Sequence, residues 1–286
     1  MTERVLALLD GTLADPEAPL LRADDLGVVR GDGLFETILV IDGVALELEP
    51  HLARLARSAA MLDLPEPDLD AWRSCAHTVI DAWRGGREMV LKLVLTRGPE
   101  GAGEVTGFAT GAPVPASLLA QRRDGIAAVT LTRGIAPDLA GQAPWLLLGA
   151  KTLSYAMNMA ALRHAATRGG DDVIFTATDG SVLEGPTSTV VIAQGATLRT
   201  PPAETGILSG TTQGALFRSA AAAGWHTSVE PIAVDELATA DGVWLVSSIR
   251  RIARVRTLDG IRLPDAGLTS ELGGMLRDAA LSVAGR

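Results

Sequence analysis

Residues 149–158 read GAKTLSYAMN, and the lysine among them is one of only two in the chain, Lys92 and Lys151. Lys and Arg together number 25, so arginine serves wherever a positive charge alone is wanted. An amine can lose its proton and attack a carbonyl, whereas a guanidinium does not. Lys151 follows the apolar run PWLLLGA and precedes a helix-like stretch, which leaves two readings: a side chain that snorkels, or a reactive one. Lys92, in MVLKLVL, reads as one outward position of an alternating strand.

Outward from this stretch, composition bounds the answer. At 286 residues, 47% apolar and 21% charged, the chain is globular and long enough for two domains. A net charge of -9, two lysines and five residues of Phe and Tyr combined offer neither a basic face nor a stacking platform, which argues against nucleic-acid binding. The single cysteine, Cys75, rules out an intrachain disulfide, and four scattered histidines lack the paired spacing of a zinc site, so no metal is expected. MTERVLALLDG does not read as a signal peptide, and no apolar run approaches the roughly 18 residues of a membrane span. A cytoplasmic protein acting on a small molecule is the expectation.

The hydrophobic pattern divides the chain near its first third. RVLALLDG and LFETILVIDGVALELE read as strands, with Asp42-Gly43 as a hairpin turn. PHLARLARSAAMLDL places Leu52, Leu55, Ala59 and Leu62 on one helical face, and DLDAWRSCAHTVIDAW repeats the pattern. EMVLKLVLTRG and EVTGFATG form a second strand pair around a glycine-rich loop. The expected organisation is an α+β domain over 1–112, a linker over 113–124 within APVPASLLAQRRDG, and an α/β domain over 125–286 that carries Lys151. In that second domain IAAVTLTR is a strand, Leu153 to Thr167 a helix, and DVIFTA and TSTVVIAQ are strands on either side of the turn at 178–181. SGTTQGALFRSAAAAGW is a helix with a polar start and Gly224 as its exit, VWLVSSIRRIARVR is strand-like, and a last helix begins near Leu268.

Three further positions bear on chemistry. Thr211 and Thr212 stand where a helix begins, and a helix N-terminus offers unpaired N–H groups to an anion such as phosphate; a residue there also simply caps its own helix. Arg54, in HLARLARSA, either reaches inward to a phosphate or belongs to a solvated face. Glu184, in VLEGPTSTVV, either holds a proton on a ring nitrogen or is a surface glutamate. In this order, a lysine, a downstream glutamate and a Gly-Thr-Thr helix start are what a pyridoxal phosphate enzyme needs: an imine partner, a ring-nitrogen partner and a phosphate cradle.

Six blocks in sequence, RGDGLFETILVIDG at 30–43, HLARL at 51–55, LKLVLTRG at 91–98, AKTLSYAMNMAA at 150–161, LEGPTSTVV at 183–191 and ILSGTTQGAL at 207–216, resemble the class-IV aminotransferase family. This is the fold type IV group of pyridoxal phosphate enzymes. The resemblance implies a two-domain α/β protein of the D-amino-acid aminotransferase type, normally a homodimer, with pyridoxal 5'-phosphate held between domains. It assigns Lys151 to the imine, Glu184 to the pyridine nitrogen, and Arg54, Thr211 and Thr212 to the phosphate. Ser247 and Ser248 match a further phosphate and substrate loop, of which Ser248 is taken as a cofactor contact. Within the family the chain looks most like 4-amino-4-deoxychorismate lyases, which release pyruvate and leave 4-aminobenzoate, a folate precursor. The rivals are a D-amino-acid or branched-chain transaminase, dual activity, and a non-catalytic carrier of the cofactor. D-amino-acid transaminases of this family typically carry a tyrosine after GDG and an arginine and histidine after the TRG turn. This chain has Phe35 and the loop PEGAGEVTG. Arg30, Arg97 and the RRIARVR segment are then the candidate partners for substrate carboxylates, and Tyr155 either touches the cofactor or belongs to the core.

Overall fold

A computed structural model describes residues 4–284 of the chain, which divide into two compact units. The first comprises Met1–Pro115 together with Ala150–Tyr155, and the second Ala116–Gly149 with Ala156–Arg286.

The first unit is built on an antiparallel sheet. Its strands are β1 (Val5–Leu8), β2 (Leu13–Ala14), β3 (Gly33–Ile41), β4 (Val44–Ala45), β5 (Glu88–Thr96) and β6 (Thr106–Pro113), in the order β2-β1-β6-β5-β3-β4. Its helices are α1 (Leu26–Val29), α2 (Leu48–Met61) and α3 (Leu69–Ala82). β3 and β4 close through Asp42 and Gly43, both at positive φ (49° and 80°), the two left-handed residues of a two-residue hairpin. The strand after this turn is only two residues long, because LELEP starts α2 instead. Leu52, Leu55 and Ala59 of α2 are fully buried, which is the stripe its periodicity demands. Asp68 caps α3 by accepting from the backbone N–H groups of Asp70 and Ala71. Gly111 lets α3 lie close to the sheet: a Cβ there would stand 2.9 Å from Val79 Cγ1 and 2.7 Å from Met89 Sδ.

The second unit has a mixed sheet. It contains α4 (Ala116–Asp124), β7 (Ile126–Thr132), α5 (Leu139–Gln142), α6 (Ala156–Thr167), β8 (Asp172–Thr176), β9 (Glu184–Gly185), β10 (Ser188–Gln194), β11 (Thr197–Thr200) and α7 (Thr211–Ala222). The chain continues through β12 (His226–Val229), α8 (Glu236–Thr239), β13 (Gly242–Ser247), β14 (Arg251–Leu258), β15 (Ile261–Arg262) and α9 (Thr269–Ala284). The strands run β12-β11-β10-β13-β14-β7-β8, with β15 beside β14 and β9 beside β10. β7 pairs in parallel with both β8 and β14, and β11 with β12; the other pairings are antiparallel. α7 and α9 cover β10, β13 and β14 through Leu216, Phe217, Trp244, Leu272 and Leu276, while α6 covers β7 and β8 through Ala161 and Ala165.

Several local expectations change. Residues 116–124, expected as linker, form α4, because SLLAQRR are helix formers once Pro115 is passed; Arg122 then ties the helix to the carbonyl of Ile249 at 3.0 Å. The helix expected from Leu153 begins at Ala156, since Leu153 N–H instead donates to Gly33 O at 2.8 Å and Phe35 N–H donates to Lys151 O at 3.1 Å. The stretch carrying Lys151 therefore lies along the start of β3 and belongs to the first unit, although its sequence neighbours belong to the second. VWLVSSIRRIARVR is two antiparallel strands around a turn at 248–250, not one.

Candidate active site

In the first unit the chemistry gathers on β3. The Lys151 backbone is held at both ends of its peptide unit: its N–H donates to Ser58 Oγ at 3.1 Å and its carbonyl accepts from Phe35. The half-buried Lys151 amine lies 3.2 Å from Tyr155 Oη and 4.1 Å from the centroid of the Phe35 ring. Phe35 and Tyr155 meet edge to face at 5.0 Å, so Tyr155 is part of this amine's surroundings and not of a distant core. Lys92 approaches the same Phe35 ring at 5.8 Å, one diagonal step across the β3–β5 pair.

Behind this face Arg54 is buried, not solvated. Its Nε and Nη2 grip Glu36 Oε1 and Oε2 at 2.8 and 2.7 Å, and His51 Nδ1 meets Glu36 Oε2 at 2.7 Å. Full burial would raise the Glu36 carboxyl, but the Arg54 guanidinium and the His51 contact outweigh it and hold the group down at about 2. Burial lowers the His51 imidazole, Glu36 opposes that shift, and the positive Arg54 and Lys151 nearby add to it. Glu36 is thus ionised and His51 neutral, with Nδ1 donating to the carboxylate. The stretch between GDG and HLARL hides this arrangement, because Glu36 reads as a polar position in a strand.

In the second unit Glu184 is fixed from two sides. Arg133 Nη1 donates to its Oε1 at 2.9 Å and the backbone N–H of Leu208 donates to its Oε2 at 3.0 Å. Leu208 leads into α7, where Gly210 occupies the N-cap position without any side-chain cap bond. A Cβ on Gly210 would stand 2.4 Å from Thr189 Oγ1, so only glycine lets the chain enter the helix this close to β10. Thr211 is buried and Thr212 half-buried at the helix start, and the buried Ser188 Oγ on β10 has no hydrogen-bond partner. An uncapped helix N-terminus flanked by hydroxyls suits a phosphate, a half-buried amine suits an aldehyde, and a carboxylate clamped in place suits a ring nitrogen. These donor sets fit pyridoxal 5'-phosphate. Ser248 lies half-buried in the turn from β13 to β14, whose carbonyl at Ile249 is held by Arg122 and whose exit residue Arg251 has φ 60°.

Four of the arginines expected to bind substrate carboxylates are otherwise engaged. Arg97 contacts Asp32 Oδ2 at 2.7 Å and the carbonyls of Leu62 and Asp63 at 2.6 and 3.3 Å. Arg250 is buried against Asp172, Arg254 pairs with Asp265, and Arg30 pairs with Glu100 on the surface. Lys92 belongs to the LKLVLTRG block of the resemblance and reads as an outward strand position, and its approach to Phe35 follows only from the β3–β5 register. Arg133 carries a signal that the sequence reading did not use, because LTRG occurs twice, at 95–98 and 131–134. Each copy ends a strand in the same turn, with the threonine Oγ accepting from the glycine N–H at 3.0 and 3.1 Å and the glycine at φ 82° and 74°.

The sheet pairings, the lysine held alongside β3 and the glutamate beside the start of α7 define a class. Residues 33–258 match the family model of amino-transferase class IV, and the chain belongs to that family, whose cofactor is pyridoxal 5'-phosphate. It is similar to a bifunctional aminodeoxychorismate lyase / D-amino acid transaminase from Mycobacterium tuberculosis, 49% identical over 97% of this chain and 99% of that protein. Among solved structures it is similar to a hypothetical aminotransferase from Mycobacterium tuberculosis in its PLP-bound form, at TM-score 0.95 and 48% identity over 98% and 99% of the two chains. A fold IV transaminase from Curtobacterium pusillum gives TM-score 0.93 and 45% identity over 98% and 100%. Among the described residues no helix is long and apolar enough to cross a membrane, and no group of His, Cys, Asp and Glu side chains is placed to hold a metal.

Proposed function

We propose that this enzyme eliminates pyruvate from 4-amino-4-deoxychorismate to leave 4-aminobenzoate, with D-amino-acid transamination as a second activity. The observation that carries the reading is the pair of lysines at one aromatic ring: Lys151 at 4.1 Å and Lys92 at 5.8 Å from the Phe35 centroid. Lys92 is exposed, and no ion pair engages it among the described residues. A substrate whose amine sits on a ring and whose two carboxylates lie further out presents an anion to Lys92 while its amine-bearing carbon faces Lys151. The Gly98–Glu104 turn, by contrast, offers no cation for the α-carboxylate of a small amino acid. The similarity to a protein named for both activities supports keeping transamination as the second reading.

In this reading Lys151 is the point of covalent attachment and Glu184 holds the proton at the pyridine nitrogen. Arg54, Thr211, Thr212 and Ser248 bind the phosphate. When bound, the cofactor supplies an electron sink for the pair left as a substrate proton departs. With the cofactor bound, the Lys151 amine, oriented by Tyr155 Oη, would be placed to take the proton from the amine-bearing ring carbon. The electron pair left by that proton would form the new ring double bond as the ring C–O bond to the enolpyruvyl group breaks, the departing enolpyruvate would take up a proton to give pyruvate, and the gain of an aromatic ring would drive the step forward. A transaminase shares the proton removal and differs only in where the proton returns. We further propose a cytoplasmic homodimer, in which a second copy covers apolar side chains such as Trp145 and Leu146, exposed here at 74% and 45%.

The test is product analysis on one cofactor-saturated preparation given 4-amino-4-deoxychorismate or, separately, D-alanine with a keto acid. Equal amounts of pyruvate and 4-aminobenzoate, at a higher kcat/KM than any transamination, are expected. Transamination without any 4-aminobenzoate overturns the lyase reading.

A further inference from the structure

We propose that Arg133 is a positioning residue that aims the Glu184 carboxylate, an inference that rests on the ring-nitrogen role given to Glu184 above. Glu184 stands on the two-residue strand β9, and a glutamate side chain has three torsions with which to leave any one geometry. Arg133 takes one carboxylate oxygen and Leu208 N–H the other, so the two contacts fix both the plane and the reach of the group. Arg133 is itself held. Its guanidinium lies 6.0 Å from the Phe175 ring centroid, and its backbone N–H donates to Thr176 O at 2.9 Å.

The setting is also partly dry, because both side chains of the pair are only 15% exposed. A surface ion pair there would contribute little, but a shielded one with a second donor on the carboxylate holds a definite orientation. The arginine comes from the turn after β7 and the backbone donor from the segment leading into α7. Glu184 is therefore tied at once to the sheet and to the start of the helix proposed to receive the phosphate. A functional carboxylate whose partner is itself packed in place is how outer groups tune the group that touches a cofactor.

The experiment loads pyridoxal phosphate labelled with nitrogen-15 in its ring into the wild type, Arg133→Gln, Arg133→Lys, Glu184→Gln and the Arg133→Gln/Glu184→Gln double variant. Ring-nitrogen chemical shift, cofactor affinity and turnover are then read. Arg133→Gln is expected to displace the ring-nitrogen signal part of the way toward that of Glu184→Gln. It should also lower kcat by about 10- to 100-fold while cofactor affinity stays within about threefold, as for removal of an outer partner. Arg133→Lys restores part of the shift, and the double variant matches Glu184→Gln alone. A wild-type signal in Arg133→Gln beside a displaced one in Glu184→Gln overturns this inference and leaves the reading of Glu184 standing. A wild-type signal in Glu184→Gln overturns the reading itself. Losses that add in the double variant place Arg133 on some other route and also overturn the proposal. Should Arg133→Gln fail to fold, Arg133→Lys carries the same measurement, with an intermediate signal expected and a wild-type signal overturning it.

Discussion

Lys92 shows what a single residue can hide. In an alternating strand an outward lysine is the ordinary solvated position, and nothing in MVLKLVL marks it otherwise. Only the β3–β5 register, Thr37 against Lys92 and Phe35 against Val94, brings its amine toward Phe35. Lys151 stood out by scarcity, as one of two lysines, while the apolar run before it left both a snorkelling and a reactive side chain open. The burial of Arg54 against Glu36 was not legible in HLARLARSA, because it is a tertiary fact. If Lys92 meets a substrate carboxylate, Lys92→Gln removes a charge-assisted contact worth about 1.5–3 kcal/mol, or roughly 10- to 100-fold in kcat/KM for the lyase reaction. The loss should fall on KM, with kcat nearly unchanged. D-alanine transamination measured on the same variant should change little. A loss confined to kcat would place Lys92 in the chemistry instead.

At the scale of elements, α2, α3 and α7 were legible because each announces itself: a buried stripe, an Asp cap, a Gly-Thr-Thr start. The short strands were not. β9, β11 and β12 have two to four residues each, and β12 is largely exposed, so none shows a period long enough to read. The turn at 248–250 was lost because IRRIARVR alternates on both sides of it. Phosphate binding is proposed to be shared between the side chain of Arg54 and the backbone N–H groups at the start of α7. Arg54→Ala is then expected to raise the cofactor dissociation constant by about tenfold or more, and Thr212→Val by less, because the helix N–H groups survive that change. Equilibrium titration of the apo variants by cofactor fluorescence reads both. Equal affinity in all three proteins places the phosphate elsewhere.

For the whole molecule, the α/β class was legible, whereas the path of the chain was not. Parallel pairing of β7 with β8 and β14 joins residues far apart in sequence, and the return of Ala150–Tyr155 to the first unit follows from two backbone hydrogen bonds to β3 that no local pattern encodes. The buried Glu36 and His51 also set how stability responds to acid. Both have folded values below their ordinary 4.5 and 6.5, so the folded state binds protons less readily than the unfolded chain. Their contribution is complete above about pH 6.5; the His51 part fades as pH falls below that, and the Glu36 part between about 4.5 and 2. The apoprotein's Tm should therefore fall as pH is lowered from 7 to 4, and His51→Gln should flatten the upper part of that decline. An identical slope in the variant would remove His51 from the explanation. The most direct measurement of all uses the scarcity of lysine: reduce the yellow holoenzyme with borohydride, digest it and map the added mass. The added cofactor mass is expected on Lys151 alone; mass on Lys92, or on neither lysine, would contradict the assignment on which the whole mechanism stands.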